Sequence, residues 1–300
     1  TSSVSGTAEE GAPSRRTVAA LRSEAPGSLG AGVLPARSVS GARSAPDLAA
    51  GGRAWLLQHR DPKTSLWSTP ERHPGCDCQI GGANWHQVGI SGLAVLALLG
   101  EPDKYEAEIR ESLEAILGRQ GKDGAFVEQV GHAFLYDHAI ALLACLEAGK
   151  RLGMEDQWRG PVEKALEFLE RGRNTTGGWR YDLPANGEND TSVTVWGCLC
   201  VCAADDLGFK VAPLSFMGPL RWFAEATDLA NGRIGYDRVG TYSARIEGFN
   251  DDYPIDVVEA MTAAGLRAQY ALGMSADIMP AIGKSEDLLS KTGVAATIGE

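Results

Sequence analysis

The chain has 300 residues, 44% hydrophobic and 22% charged, ordinary globular proportions that exclude disorder throughout. Lys plus Arg number 28 against 39 Asp plus Glu, a formal charge of −11, which repels a phosphate backbone and argues against a nucleic-acid partner. No stretch approaches the roughly 18 uninterrupted apolar residues of a membrane span; the nearest, Ile90–Gly100, contains Ser and Gly.

Residues 1–46 are Ser, Ala, Gly, Pro and Arg with few large apolar side chains. Such a segment buries too little surface to offset its ordering entropy, so alone it is expected to be a disordered arm. The sequence starts at Thr1 rather than Met, which points to removal of an upstream segment and leaves the compartment open.

From Asp47 onward the texture changes to amphipathic stretches with a 3.6-residue period and almost no alternation of period two. The pattern predicts nine helices, near 48–59, 86–99, 103–118, 132–153, 159–172, 190–206, 213–226, 255–273 and 281–290, hence an all-α domain over 47–300. Cys145, Cys198, Cys200 and Cys202 fall within apolar helical patterns and read as buried thiols, whereas Cys76 and Cys78 sit in a loop.

Internal repetition is the strongest feature of the sequence. A loop motif recurs as DPKTSLW (Asp61–Trp67), QGKDGAF (Gln120–Phe126), RNTTGGW (Arg173–Trp179) and DLANGRI (Asp228–Ile234). Each has a polar residue, three loop residues, Gly or Ser, one more residue, then a large apolar side chain. Gly supplies a positive-φ stop, and the apolar residue is expected to fold back over a helix end. A second motif starts helices at Asn84, Leu135, Asn189 and Ile255, with Ser91, Ala141, Thr194 and Thr262 aligned as equivalents. Helical hairpins repeating roughly every fifty residues must stack or close into a ring to bury both faces.

The loop motif resembles the glutamine–tryptophan repeat of squalene and oxidosqualene cyclases, Gln-x-x-x-Gly-x-Trp. Gln120 keeps the glutamine, and Trp67 and Trp179 keep the tryptophan. The segments LYDHAIALLACLEAG, NDTSVTVWG and GGWRYDLP resemble prenyltransferase and squalene-oxidase repeat proteins. The resemblance covers about residues 48–273 and implies an α/α toroid of the terpenoid-cyclase superfamily. Nine helices are too few for a closed toroid of this type, so an incomplete ring completed by further sequence or a partner is expected.

In such a toroid the inner helices start at one end of the cavity. His86, Asp137, His138, Asp190, Asp256 and Glu259 all fall near those starts, and converging titratable groups at a concave opening define a candidate site. Asp190, Asp137 and His138 are the candidate catalytic groups; His86, Trp196, Asp256 and Glu259 are the candidate ligand-binding rim. The competing reading makes the acids helix caps. Squalene-type cyclases protonate an alkene with the middle acid of a DxDD motif, and the matching place reads Gly187-Glu188-Asn189-Asp190. Asn189 has no acidic proton to give, and Asp190 at a helix start is expected to be ionised.

His73, Cys76, Cys78 and His86 form a group that would satisfy tetrahedral zinc, although Cys-x-Cys departs from the usual Cys-x-x-Cys knuckle. No other cofactor is expected. Trp179, Tyr181 and Trp196 are expected to pack between helix layers, with Arg180 pairing to Asp182 or Glu188. The reading that follows is a binding or scaffold module holding an apolar, isoprenoid-like molecule or another protein. The alternative is a terpenoid-cyclase or prenyl-transfer enzyme with a displaced acid.

Overall fold

The computed structural model describes residues 45–67, 86–129, 134–181, 183–241 and 259–291. Among them are nine α-helices: α1 (Ala45–Gln58), α2 (Gln87–Leu98), α3 (Glu106–Leu117), α4 (Phe134–Leu152), α5 (Asp156–Arg171), α6 (Thr191–Asp206), α7 (Leu214–Ala226), α8 (Ala260–Ala271) and α9 (Pro280–Lys291). A 3₁₀ turn, Pro102–Lys104, precedes α3. Within the described residues there is no strand, only the isolated bridges Arg60 to Trp67 and Thr227 to Ile234. No helix of the described residues is long and apolar enough to cross a membrane.

The helices form two layers that alternate along the chain. The even-numbered helices pack side by side in the order α2, α4, α6, α8, and the odd-numbered ones lie against them. The sequences explain the division. In α5, Trp158, Val162, Ala165, Leu166 and Leu169 form one buried stripe while the other face is charged, as an outer helix requires. In α6, by contrast, the first charge after Thr191 is Asp205, and twelve of its residues are buried. It packs against α4 and α8 on its flanks and α5 and α7 behind, so most of its circumference meets apolar neighbours.

One joint, built four times, holds the layers together. Each loop motif closes with a backbone hydrogen bond: Asp61 N to Leu66 O at 2.9 Å, Gly121 N to Ala125 O at 2.7 Å, Asn174 N to Gly178 O at 2.8 Å and Asp228 N to Arg233 O at 2.8 Å. Two residues before each plugging side chain, the backbone takes positive φ: 59° at Ser65, 93° at Gly124, 107° at Gly177 and 81° at Gly232. Gly177 is also pressed for space, since a Cβ there would lie 2.5 Å from Gly218 Cα on α7. Trp67, Phe126, Trp179 and Ile234 are then buried as plugs. The Trp67 and Trp179 indole N–H groups donate to Leu56 O (2.7 Å) and Leu169 O (2.9 Å) near the ends of α1 and α5, each a second bond to a carbonyl of the last helical turn.

Each plug also donates its backbone N–H to a side chain on the following even helix. The acceptors are Ser91 Oγ (3.0 Å), His138 Nδ1 (3.3 Å), Thr194 Oγ1 (3.0 Å) and Thr262 Oγ1 (3.2 Å). This corrects the repeat register by one turn: His138, not Ala141, is the equivalent of Ser91, Thr194 and Thr262. The slot needs an acceptor, which alanine lacks. Ala141 instead falls three residues along with Ala94, Gly197 and Gly265, where the helix must be small. A Cβ at Gly197 would come 2.7 Å from the Trp179 ring, and one at Gly265 would come 2.7 Å from Ile234 Cδ1.

Candidate functional site

The starts of α4 and α6 carry a polar cluster that the joints do not use. Asp190, fully buried, caps α6: its Oδ1 accepts from Val193 N at 2.8 Å and from Ser192 Oγ at 2.6 Å. Its Oδ2 accepts from Tyr236 Oη at 3.4 Å. The cluster extends outward on both sides, Tyr136 Oη bonding to Ser192 Oγ and Tyr181 Oη to Tyr236 Oη. The Tyr136 and Tyr181 rings stand 5.9 Å apart, tilted by 37°.

Two loops and two helices converge here for legible reasons. Tyr181 and Tyr236 each lie two residues beyond a plug, Trp179 and Ile234, so the repeated joint aims both tyrosines alike. Tyr136 and Ser192 each lie two residues before a joint acceptor, His138 and Thr194, on neighbouring helices. Thr191 fixes the second loop, donating N–H to Tyr236 O (2.7 Å) and its hydroxyl to Gly235 O (2.6 Å). Burial pushes the Asp190 carboxyl above the ordinary carboxylate value, while the Ser192 hydroxyl and Val193 N–H pull it back. Burial likewise raises Tyr136 and Tyr236, so their phenols are neutral at physiological pH.

Asp137, next to Tyr136 in the chain, takes part in a separate polar pair. His86 Nδ1 lies 2.9 Å from Asp137 Oδ2, bridging the starts of α2 and α4. Gly89 makes room for it, because a Cβ there would collide with the Asp137 carboxylate. Burial raises the Asp137 pKa and His86 lowers it.

The other predicted residues are placed differently. His138 does not reach a rim: it is fully buried, accepts from Phe126 N and donates Nε2–H to Ala165 O at 2.9 Å. Burial pushes its pKa down to about 4, so it is a neutral structural group with both nitrogens engaged and none left for proton transfer. Glu259 is also buried rather than at an open rim. Arg233 donates to its Oε1 (2.5 Å) and Thr262 to its Oε2 (2.8 Å), tying the fourth loop to the start of α8. Asn189 is buried and accepts from Asn174 Nδ2 at 3.1 Å. Trp179 packs between the layers as expected, and Arg180 pairs with Glu188 at 2.7 Å. Tyr181 and Trp196, however, stay partly exposed against the core. Asp256, His73, Cys76 and Cys78 lie outside the described residues, and within the described ones no three metal-ligating side chains gather.

Tyr136, Ser192 and Tyr236 were not singled out by the sequence. A signal existed: Trp179-Arg180-Tyr181-Asp182 and Ile234-Gly235-Tyr236-Asp237 repeat a Tyr-Asp pair behind the plug. Comparison of the chain with family models, curated proteins and solved structures finds no match, so the site is read from its own geometry.

Proposed function

We propose that the chain is a binding module of the squalene-cyclase and prenyltransferase-repeat type, its even-numbered helices lining the inner wall of an incomplete α/α toroid and holding an apolar molecule. The observation that carries this reading is the partly exposed Trp196. It lies four residues after Ser192, on the same face of α6 and one turn from the polar cluster. A polar end followed by the aromatic surface of Trp196 suits a ligand with a polar head and an apolar body.

A binding role is favoured over catalysis because Asp190 is occupied as a cap and Asn189 replaces the acid that would protonate an alkene. Native mass spectrometry of protein purified from its source tests the proposal. A retained apolar small molecule supports it, and bare protein that also fails to bind n-octanol overturns it. Conversion of added squalene to a cyclic product, abolished by Asp190→Asn, would replace it with the catalytic reading.

A further inference from the structure

Each even-numbered helix ends in a Leu-Gly pair: Leu99-Gly100, Leu152-Gly153, Leu207-Gly208 and Leu272-Gly273. Cross-bonds hold three of these ends side by side, at the end of the domain away from the tyrosine cluster. Arg151 on α4 donates to Leu99 O, and Lys150 Nζ donates to Asp206 Oδ2 on α6 at 2.9 Å. Here the chain turns into the next odd-numbered helix. The first two turns are charged, with Glu101, Asp103, Lys104 and Glu106 at one and Glu155 and Asp156 at the other. The third breaks the pattern: from Leu207 to Ala224 there is no acidic residue, in a chain that has 39.

That turn also leaves apolar side chains in water. Lys210, Ala212 and Pro213 are exposed, and Leu214 and Met217, neighbours on one face of α7, are 63% and 52% exposed. A single exposed leucine is ordinary; two large apolar side chains beside an exposed Ala-Pro, with cations and no acid among them, form a patch. At its root Arg159 of α5 donates to Gly208 O (3.3 Å) and lies 4.5 Å over the Phe209 ring, next to Lys210. Arg221 stands on the far side, paired with Glu225. The fourth turn, after α8, leaves Ile278 54% exposed as well.

We propose that the turn from Lys210 to Met217 docks on an anionic lipid bilayer, lying in its interface without spanning it. Leu214 and Met217 enter the boundary of the acyl region, and Lys210 and Arg159 meet the headgroup charge. The exposure of these side chains decides between occupants. A fluid apolar layer accepts them without a matching pocket, whereas a peptide needs a groove to lie in. A second copy related by two-fold symmetry would set Lys210 and Arg159 near their own equivalents. The inference stands independently of the proposed apolar-ligand site.

Co-sedimentation of the full chain with vesicles of phosphatidylcholine, alone or with about one-third phosphatidylserine, tests it. Binding is expected to be about ten-fold tighter with phosphatidylserine and to weaken as salt rises. Replacing both apolar contacts, Leu214→Ser with Met217→Ser, is expected to weaken it about ten-fold or more. Lys210→Glu is expected to remove most of the preference for phosphatidylserine. All three side chains are exposed, so the variants are expected to unfold at the wild-type temperature. Equal affinity for the two vesicle types, or binding undiminished in the double serine variant, overturns the proposal. Capture of soluble poly-glutamate as tight as that of phosphatidylserine vesicles also overturns it, reassigning the patch to an acidic protein. A wild-type dimer that the double serine variant dissociates overturns it in favour of a second copy.

Discussion

The plugged joint and the tyrosine cluster lie a few residues apart in the chain yet follow opposite logics. The joint is built four times with interchangeable parts: Trp, Phe or Ile as plug, Ser, His or Thr as acceptor. The cluster is built once, across the middle repeats, with parts that have no substitutes elsewhere; the positions equivalent to Tyr136 and Ser192 are Gly89 on α2 and Ala260 on α8. Chemistry that recurs in every repeat answers a need of every repeat, which is burial and backbone satisfaction. Chemistry that occurs once, around a fully buried carboxylate, answers no such need.

That contrast breaks if the joint proves dispensable. Trp179→Ala removes a fully buried indole and its bond to Leu169 O, so a loss of about 3–5 kcal/mol is expected in denaturant titration. A loss under about 1 kcal/mol would mean that the plug does not anchor the layers.

His138 sharpens it through pH. Its folded pKa is about 4 against a reference value of 6.5, so the unfolded chain takes up the proton first. Its contribution to stability is complete above pH 6.5, declines as pH falls, and is lost by about 4, amounting to about 3 kcal/mol. Asp137 and Asp190, both raised by burial, act in the opposite direction, because the folded state then binds protons more readily. His138→Gln is expected to flatten the melting-temperature profile between pH 6.5 and 4. An unchanged slope would remove His138 as its source.

Thr194→Val is a smaller test of the same joint. It keeps the shape but leaves Trp179 N without its acceptor, at an expected cost of about 1–3 kcal/mol. Thermal unfolding compared with Thr262→Val should show similar losses, since the two positions do the same work.

The smallest expected effect falls on the cluster. Tyr136→Phe deletes one hydroxyl at a partly exposed position and is expected to cost about 1 kcal/mol or less. A large loss on chemical denaturation would make the cluster structural and erase its contrast with the joint.

Much of the scaffold was legible because its rules are local. Glycine or serine two residues before a large apolar side chain can be read from DPKTSLW or RNTTGGW, and positive φ with a buried plug follows from those letters alone. The helix positions follow from apolar periodicity in the same way. The slip from His138 to Ala141 shows where local reading ends. Both residues sit on a buried helical face, and only the approach of Phe126 N from another part of the chain decides which one serves as acceptor.

The all-helical domain, the two kinds of helix and the four repeated joints follow from the order of the amino acids, because periodicity and turn chemistry act within a few residues. That order also places His86 and Asp137 at neighbouring helix starts. Helix packing closes His138 and Glu259 inside structural contacts and gathers Tyr136, Tyr181, Ser192 and Tyr236 around Asp190. Hydrogen bonds spanning 46 to 56 residues carry no periodicity along the chain; they exist only once the helices pack and fix which hydroxyls meet.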